Sequence, residues 1–131
     1  MALDLSKTLV VGISATALFD MSESDQMFKA ALEADPERVI DNYRRYMQER
    51  EDEPLAPGTG YHLVKALLDL NRHMKAEDTS PLVEVVVMSR NSPDTGIRVL
   101  KTIRRDQLAI TRSAFTGGES VADYMDAFDV D

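Results

Sequence analysis

VEVVVMSRNSPDTGIRVLKTIRRD, Val83 to Asp106, is the stretch that decides the fold. Val83 to Ser89 is apolar and rich in β-branched residues, without the alternation of a half-exposed strand. That is the pattern of a strand covered on both faces. A polar loop follows, and then a helix from about Asp94 to Asp106, with Ile97, Leu100 and Ile103 expected to face inward. Ile110 to Thr116 (ITRSAFT) reads as the next strand. Strand, helix and strand in succession make the crossover unit of a parallel sheet.

Towards the N-terminus the pattern continues. Thr8 to Ser14 (TLVVGIS) is a second short run expected to be buried on both faces. Met27, Phe28, Ala31 and Leu32 then fall at helical spacing. Asp35-Pro36 reads as a helix start, a capping acceptor followed by Pro at the first helical position. Val39, Ile40, Tyr43, Tyr46 and Met47 form the apolar stripe of that helix, and Glu49 to Glu53 (EREDE) is a solvated charge run. Pro54 to Gly60 (PLAPGTG) breaks the chain. Thr59 is the expected cap of a further helix, whose inner face is Tyr61, Val64, Leu67, Leu68 and Asn71. Ser120 is the expected cap of a last helix with Val121, Tyr124, Met125 and Phe128 on one side.

The predicted fold class is therefore α/β, a small parallel sheet with flanking helices in one domain spanning 1–131. The two helices after the first strand, about residues 25–53, read as a cap-like insertion at the strand's C-terminal end. Three strands make a narrow sheet, and a fourth would be expected where Phe128 to Asp131 stand. The domain is thus expected to be incomplete, the N-terminal part of a longer one, or to be completed by a partner. Its unfinished sheet edge would suit a homo-oligomer.

Composition narrows the function. The 131 residues include 15 Lys and Arg against 23 Asp and Glu, a formal net charge of −8. That field argues against a nucleic-acid polymer or an anionic membrane as partner. There is no Cys, which excludes thiolate metal sites and Cys nucleophiles, and the two histidines, His62 and His73, lie far apart. No apolar run approaches the roughly 18 residues of a membrane span, and MALDLSKT lacks a signal peptide's basic start. A cytoplasmic protein is expected. The seven Met residues are scattered and suit core gaps.

In open α/β sheets, ligands bind beyond the carboxyl ends of the strands. All three such segments here are polar. The first holds Ser14, Thr16 and then Asp20, the second Ser89-Arg90-Asn91-Ser92, and the third Thr116-Gly117-Gly118. A hydroxyl, a guanidinium and backbone amides ahead of a helix favour a phosphate or similar oxyanion. The plainer alternative is that these are capping turns. Residues 20–53 carry 11 acids and 5 bases, whereas residues 89–112 carry 6 bases and 2 acids. Within that basic island Arg104 and Arg105 offset a helix dipole, leaving Arg90 and Arg112 as candidates for an anion. Asp20, Glu23 and Asp25 could serve Mg²⁺, or simply cap a helix.

ISATALFD (Ile13–Asp20), EDEPLAPGTGYHLVKALLDLN (Glu51–Asn71), VEVVVMSRNSPDTGIRVL (Val83–Leu100) and ITRSAFTGGES (Ile110–Ser120) resemble the N-terminal half of the type I cytosolic 5′-nucleotidase family. The resemblance implies a haloacid-dehalogenase-like, Rossmannoid fold. It also implies Mg²⁺-dependent hydrolysis of nucleoside 5′-monophosphates to nucleoside and phosphate. In such enzymes an Asp attacks phosphorus and a second Asp protonates the leaving oxygen. The family's Asp-Gly-Asp motif belongs to a later part of the chain, and the first strand here offers Ser14 and Thr16 at the nucleophile's place. Carried over, Ser89 becomes the phosphate-binding hydroxyl, flanked by Arg90 and Asn91, with Thr116, Gly117 and Gly118 as a second wall. Asp20 is the candidate for catalytic carboxylate and metal ligand. Three readings stay open: a 5′-nucleotidase, a non-catalytic nucleotide- or phosphate-binding module, and a structural fragment.

Overall fold

A computed structural model describes residues 4–131. The first three residues of MALDLSKT lie outside the described part. In chain order the elements are β1 (Leu9–Ile13), α1 (Ala15–Leu18), β2 (Phe19–Asp20), α2 (Ser22–Ala34), α3 (Val39–Glu49), β3 (Ala56–Pro57) and α4 (Tyr61–Asp69). A 3₁₀ turn at Leu70–His73 leads to β4 (Val83–Ser89), α5 (Pro93–Arg105), β5 (Arg112–Phe115) and α6 (Ala122–Ala127). The strands β1, β4 and β5 form a parallel sheet in the order β1-β4-β5, and β2 and β3 form a two-residue antiparallel ladder. The expected α/β class with a small parallel sheet is what the chain adopts.

β4 is the axis of the molecule, buried at all seven positions. Val83, Val85 and Val87 enter the main core with Leu18, Phe19, Tyr61, Val64, Val99 and Ile103. Val86 and Met88 face the other way, joining Val10 under Tyr124, Phe128 and Val130. Each fully buried valine is worth on the order of 1.5–3 kcal/mol of transfer free energy, so the uninterrupted VEVVV run commits the strand to the centre. Asn71 locks its start: the side-chain amide donates to the Val83 carbonyl at 2.8 Å and accepts from the Val83 amide at 2.9 Å.

Several expectations are corrected. β1 is not buried on both faces: it is an edge strand in which Val10 is buried while Leu9 stays half exposed. The third strand shortens to Arg112–Phe115, and the helical insertion begins at Ser22 rather than about residue 25. Asp35-Pro36 does not start a helix. The Arg38 amide returns to the Asp35 carbonyl at 3.1 Å, closing a turn, and α3 begins at Val39. Gly60 rather than Thr59 stands at the start of α4. On α5, Ile97 and Leu100 are exposed, and Thr95, Gly96, Arg98, Val99, Thr102 and Ile103 turn inward. Met125 of α6 is likewise exposed, although Ser120 does take the Ala122 amide at 3.2 Å.

Instead of starting a strand after α6, Asp131 meets the outer edge of β1. Its amide donates to the Val10 carbonyl at 3.0 Å, and its carboxylate accepts from the Val10 amide at 2.8 Å. No helix among the described residues is long and apolar enough to cross a membrane.

Candidate functional site

Parallel pairing brings the carboxyl ends of all three strands to one side, with Val87 level with Ile13 and Ser89 level with Phe115. The loops that leave β4 and β5 are fastened to each other there. The Thr116 amide donates to the Ser89 carbonyl (2.9 Å), the Gly117 amide to the Asn91 carbonyl (3.1 Å) and the Gly118 amide to the Arg90 carbonyl (2.7 Å). The Arg90 guanidinium closes the circuit by donating to the Gly118 carbonyl from Nε at 3.2 Å and Nη2 at 2.8 Å. Gly117 and Gly118 adopt φ of +64° and +106°, which favours glycine, and a Cβ on either would meet nothing within 4 Å. Their absent side chains serve the turn, and their amides are committed to the neighbouring loop.

Above these loops lies a cleft of about 580 Å³. Its floor is Arg90, Asn91, Ser92, Gly117 and Gly118 with the first turn of α5. Its opposite wall is the helical pair, through Asp25, Phe28, Ile40, Tyr43 and Arg44. The pair is tied to the N-terminal turn of α5 by Tyr43, whose hydroxyl lies 3.2 Å from Thr95 Oγ1, and by Arg44, which meets Asp94 at 3.0 Å. Asn91 Nδ2 reaches Met21 Sδ at 3.6 Å, linking the floor to the start of α2. The insertion therefore does stand over the strand ends as a cap would.

The candidates of the sequence fall into three groups. Arg90, Asn91, Gly117 and Gly118 line the cleft. Ser89 and Thr116 do not line it, although each adjoins in the chain a residue that does. Ser89 Oγ accepts from the Asn91 amide at 3.3 Å and keeps its hydrogen to donate, whereas the Thr116 hydroxyl is spent on the Glu119 carbonyl at 2.6 Å. Ser14, Thr16 and Asp20 are not part of the cleft lining. Ser14 Oγ caps α1 by accepting from the Ala17 amide at 3.2 Å, with Thr16 Oγ1 3.3 Å away. Asp20 Oδ1 accepts from the Ser22 amide at 3.0 Å. Hydrogen bonds from the Ser22 backbone and then its side chain hold the Asp20 carboxyl below the usual carboxylate range. Asp20 is thus an anion near neutrality, suited to a nucleophile or ligand and unsuited to proton donation.

Two electrostatic expectations change. Arg112 belongs to no anion site, because it grips buried Glu84 through Nε and Nη2 at 2.5 and 3.1 Å and donates to the Phe128 carbonyl. Arg90, in contrast, has no carboxylate partner among the described residues, and two of its five N–H groups are used. The start of α5 is less open than a bare helix end. Pro93 has no N–H, Ser92 Oγ takes the Thr95 amide at 3.5 Å, and the Ser92 carbonyl takes the Gly96 amide at 3.0 Å. Among the described residues no three acidic or histidine side chains gather to hold a metal ion. Asp20 therefore stands without a second and third side-chain ligand of this kind beside it.

Sequence reasoning missed the contribution of Phe28, Tyr43 and Arg44. Phe28 and Tyr43 carried a helical apolar signal that reads as core. Only their place in an insertion following a strand end could have assigned them to a cleft.

A family model described as 5′-nucleotidase matches residues 1–131. Human cytosolic 5′-nucleotidase 1B is 25% identical over 122 residues, covering 92% of this chain. The chain spans 19% of the length of that relative. No solved structure matches.

Proposed function

This chain belongs to the 5′-nucleotidase family, and on that premise we propose that it supplies the nucleoside 5′-monophosphate-binding loops of a phosphoric monoester hydrolase. The observation that carries the proposal is Arg90. It is a cation without a carboxylate partner among the described residues, fixed by Gly118 at the floor of the cleft and next to the unspent Ser89 O–H. A phosphate dianion there would receive charge-assisted hydrogen bonds from the guanidinium, with the Ser89 hydroxyl and Asn91 Nδ2 as further donors. Hydrolysis would break the bond between phosphorus and the ester oxygen. Asp20 is the carboxylate proposed to attack phosphorus, forming an aspartyl phosphate as that bond breaks; the departing nucleoside oxygen takes a proton from water, and a further water cleaves the aspartyl phosphate to release phosphate and restore the carboxylate. Mg²⁺ dependence, implied by the family resemblance, would need ligands besides Asp20. A cytoplasmic setting follows the printed name of the human relative. Self-association through a sheet edge would have to use β5, because at β1 the Val10 groups are taken by Asp131.

A non-catalytic binding module is the second reading, favoured by the position of Asp20 outside the cleft lining. Calorimetric titration with AMP, paired with a phosphate-release assay with and without Mg²⁺, separates the two. Arg90→Ala should weaken AMP binding about 10- to 100-fold, the worth of hydrogen bonds to a charged group. Release abolished by Asp20→Asn supports the hydrolase. Binding without release supports the module, and no AMP binding by the parent chain sinks both.

A further inference from the structure

The two outer edges of the parallel sheet differ. At β1 the Val10 amide and carbonyl are taken by Asp131. At β5 the register sets Arg112 level with Val86 and Ala114 level with Met88, and the Thr116 amide donates to the Ser89 carbonyl at 2.9 Å. Alternation along the strand therefore turns the amides and carbonyls of Arg112 and Ala114 towards β4, and those of Ser113 and Phe115 outward. Among the described residues no turn, loop or cap bond takes up these outward groups. The strand has no Pro, and its register is unbroken by a bulge, so neither common guard of a sheet edge is present. Beside this edge runs α5, with Gly96 against the Phe115 ring. The helix face turned from the core holds Ile97 and Leu100, 42% and 44% exposed, and then exposed Arg104. Among the described residues Arg104 pairs with no carboxylate, and exposed Glu119, in the loop after β5, pairs with no cation.

We propose that the β5 edge and the Ile97, Leu100 and Arg104 stripe form the interface with a second copy of this chain, the two β5 strands pairing antiparallel about Ala114. The inference rests on the reading that self-association has β5 to use, and it needs no nucleotide. With a two-fold axis at Ala114, Ser113 of each copy stands opposite Phe115 of the other. These are the residues with outward groups, and each such pair exchanges two backbone hydrogen bonds, so every outward group finds a partner. An axis normal to the sheet keeps both α5 helices on the same face and antiparallel to each other. Ile97 and Leu100 then meet their counterparts and leave water, which adds the apolar burial that so short a strand lacks. Charge selects the same orientation. Arg104 lies at the end of α5, before β5 begins, whereas Glu119 follows its end. Antiparallel pairing carries Arg104 of each copy towards Glu119 of the other, whereas parallel pairing would set Arg104 beside Arg104.

Sedimentation velocity on the full chain without nucleotide measures assembly against the 14.6 kDa of one copy. A species of twice that mass should grow with concentration. As it forms, hydrogen exchange at the Ser113 and Phe115 amides should slow. Leu100→Glu, at an exposed position, should raise the dissociation constant about tenfold or more while circular dichroism shows the helices intact. Arg104→Glu and Glu119→Arg should each raise it about tenfold, and the double variant should restore the parent value. A single species of one-copy mass up to about 1 mM would overturn the proposal. So would a dimer indifferent to Leu100→Glu, one in which the two amides gain no protection, or one that the charge swap fails to restore. Failure of AMP to bind would leave this interface standing, and a monomer that binds AMP would leave the phosphate site standing.

Discussion

Gly58 is held by its neighbours rather than by its own torsions. A Cβ built on it would lie 2.5 Å from the Ala17 carbonyl oxygen and 2.8 and 2.9 Å from the backbone C and N of Phe19. Its amide donates to the Leu18 carbonyl at 2.9 Å, and Gly60 repeats the contact with Ala17 at 2.8 Å. The PLAPGTG loop is thereby pressed against the α1–β2 corner, backbone on backbone, where no side chain can yield. Gly96 is crowded differently, with its Cβ position 2.8, 2.9 and 3.1 Å from atoms of the half-buried Phe115 ring. A ring can pivot, and Ala gains about 1 kcal/mol over Gly in a helix interior. Gly58→Ala should therefore cost about 3 kcal/mol, the upper end of overpacking. Gly96→Ala should cost about 1 kcal/mol net. Urea unfolding of the two variants checks the order, and a smaller loss at Gly58 would mean that the corner opens cheaply.

At the scale of elements, the inward face of α5 ties distant parts of the chain together. Arg98 is buried, donating from Nε to the Glu53 carbonyl at 2.9 Å, and the Leu55 amide donates to Thr102 Oγ1 at 3.2 Å. These bonds clamp the segment that leaves α3 onto α5, and with it the helical pair that walls the cleft. Lys101 also reaches this segment, at Glu51 and Asp52, but from an exposed position. Arg98→Ala should cost about 2–3 kcal/mol, through a lost charged hydrogen bond and lost stem packing. Lys101→Ala should cost under about 1 kcal/mol, as exposed pairs do. Thermal unfolding of both variants measures the difference, and equal losses would refute the clamp. The same helix marks the limit of what was legible in the sequence. β4 could be read because seven buried positions leave no alternative face. Ile97 and Leu100 misled because periodicity finds an apolar stripe without knowing what lies opposite. The partner of Gly96 is Phe115, and that of Arg98 is a carbonyl 45 residues away. At the site, polar residues at strand ends located Arg90 and Asn91. The spending of the glycine amides on the adjacent loop, and the aromatic wall from α2 and α3, arise only when those parts dock.

For the molecule as a whole, three groups tie stability to the alkaline range. Tyr61 packs against Phe19 in the main core, and its hydroxyl donates to Asp106 at 2.9 Å. Burial first, and the Asp106 contact second, push its pKa above the usual tyrosine value. Tyr46 is raised in the same direction, by burial and then by its bond to Glu23. Lys101 is raised by its hydrogen bonds to Asp52 and Glu51. In each case the protonated form is favoured in the folded state. The contribution is therefore complete below the unfolded-chain pKa, about 10 for both residue types. As pH climbs past that value, the unfolded chain gives up its protons first and stability drains away until the folded pKa is passed. Tyr61→Phe removes one of the three contributions and one hydrogen bond to a carboxylate. It should be about 1–2 kcal/mol less stable at pH 8 and should lose less between pH 9 and 11 than the parent chain does. Melting temperatures across that range decide the matter. Parallel curves for the two proteins would mean that Tyr61 ionises no later in the fold than in the unfolded chain, and that the bond to Asp106 does not hold the core.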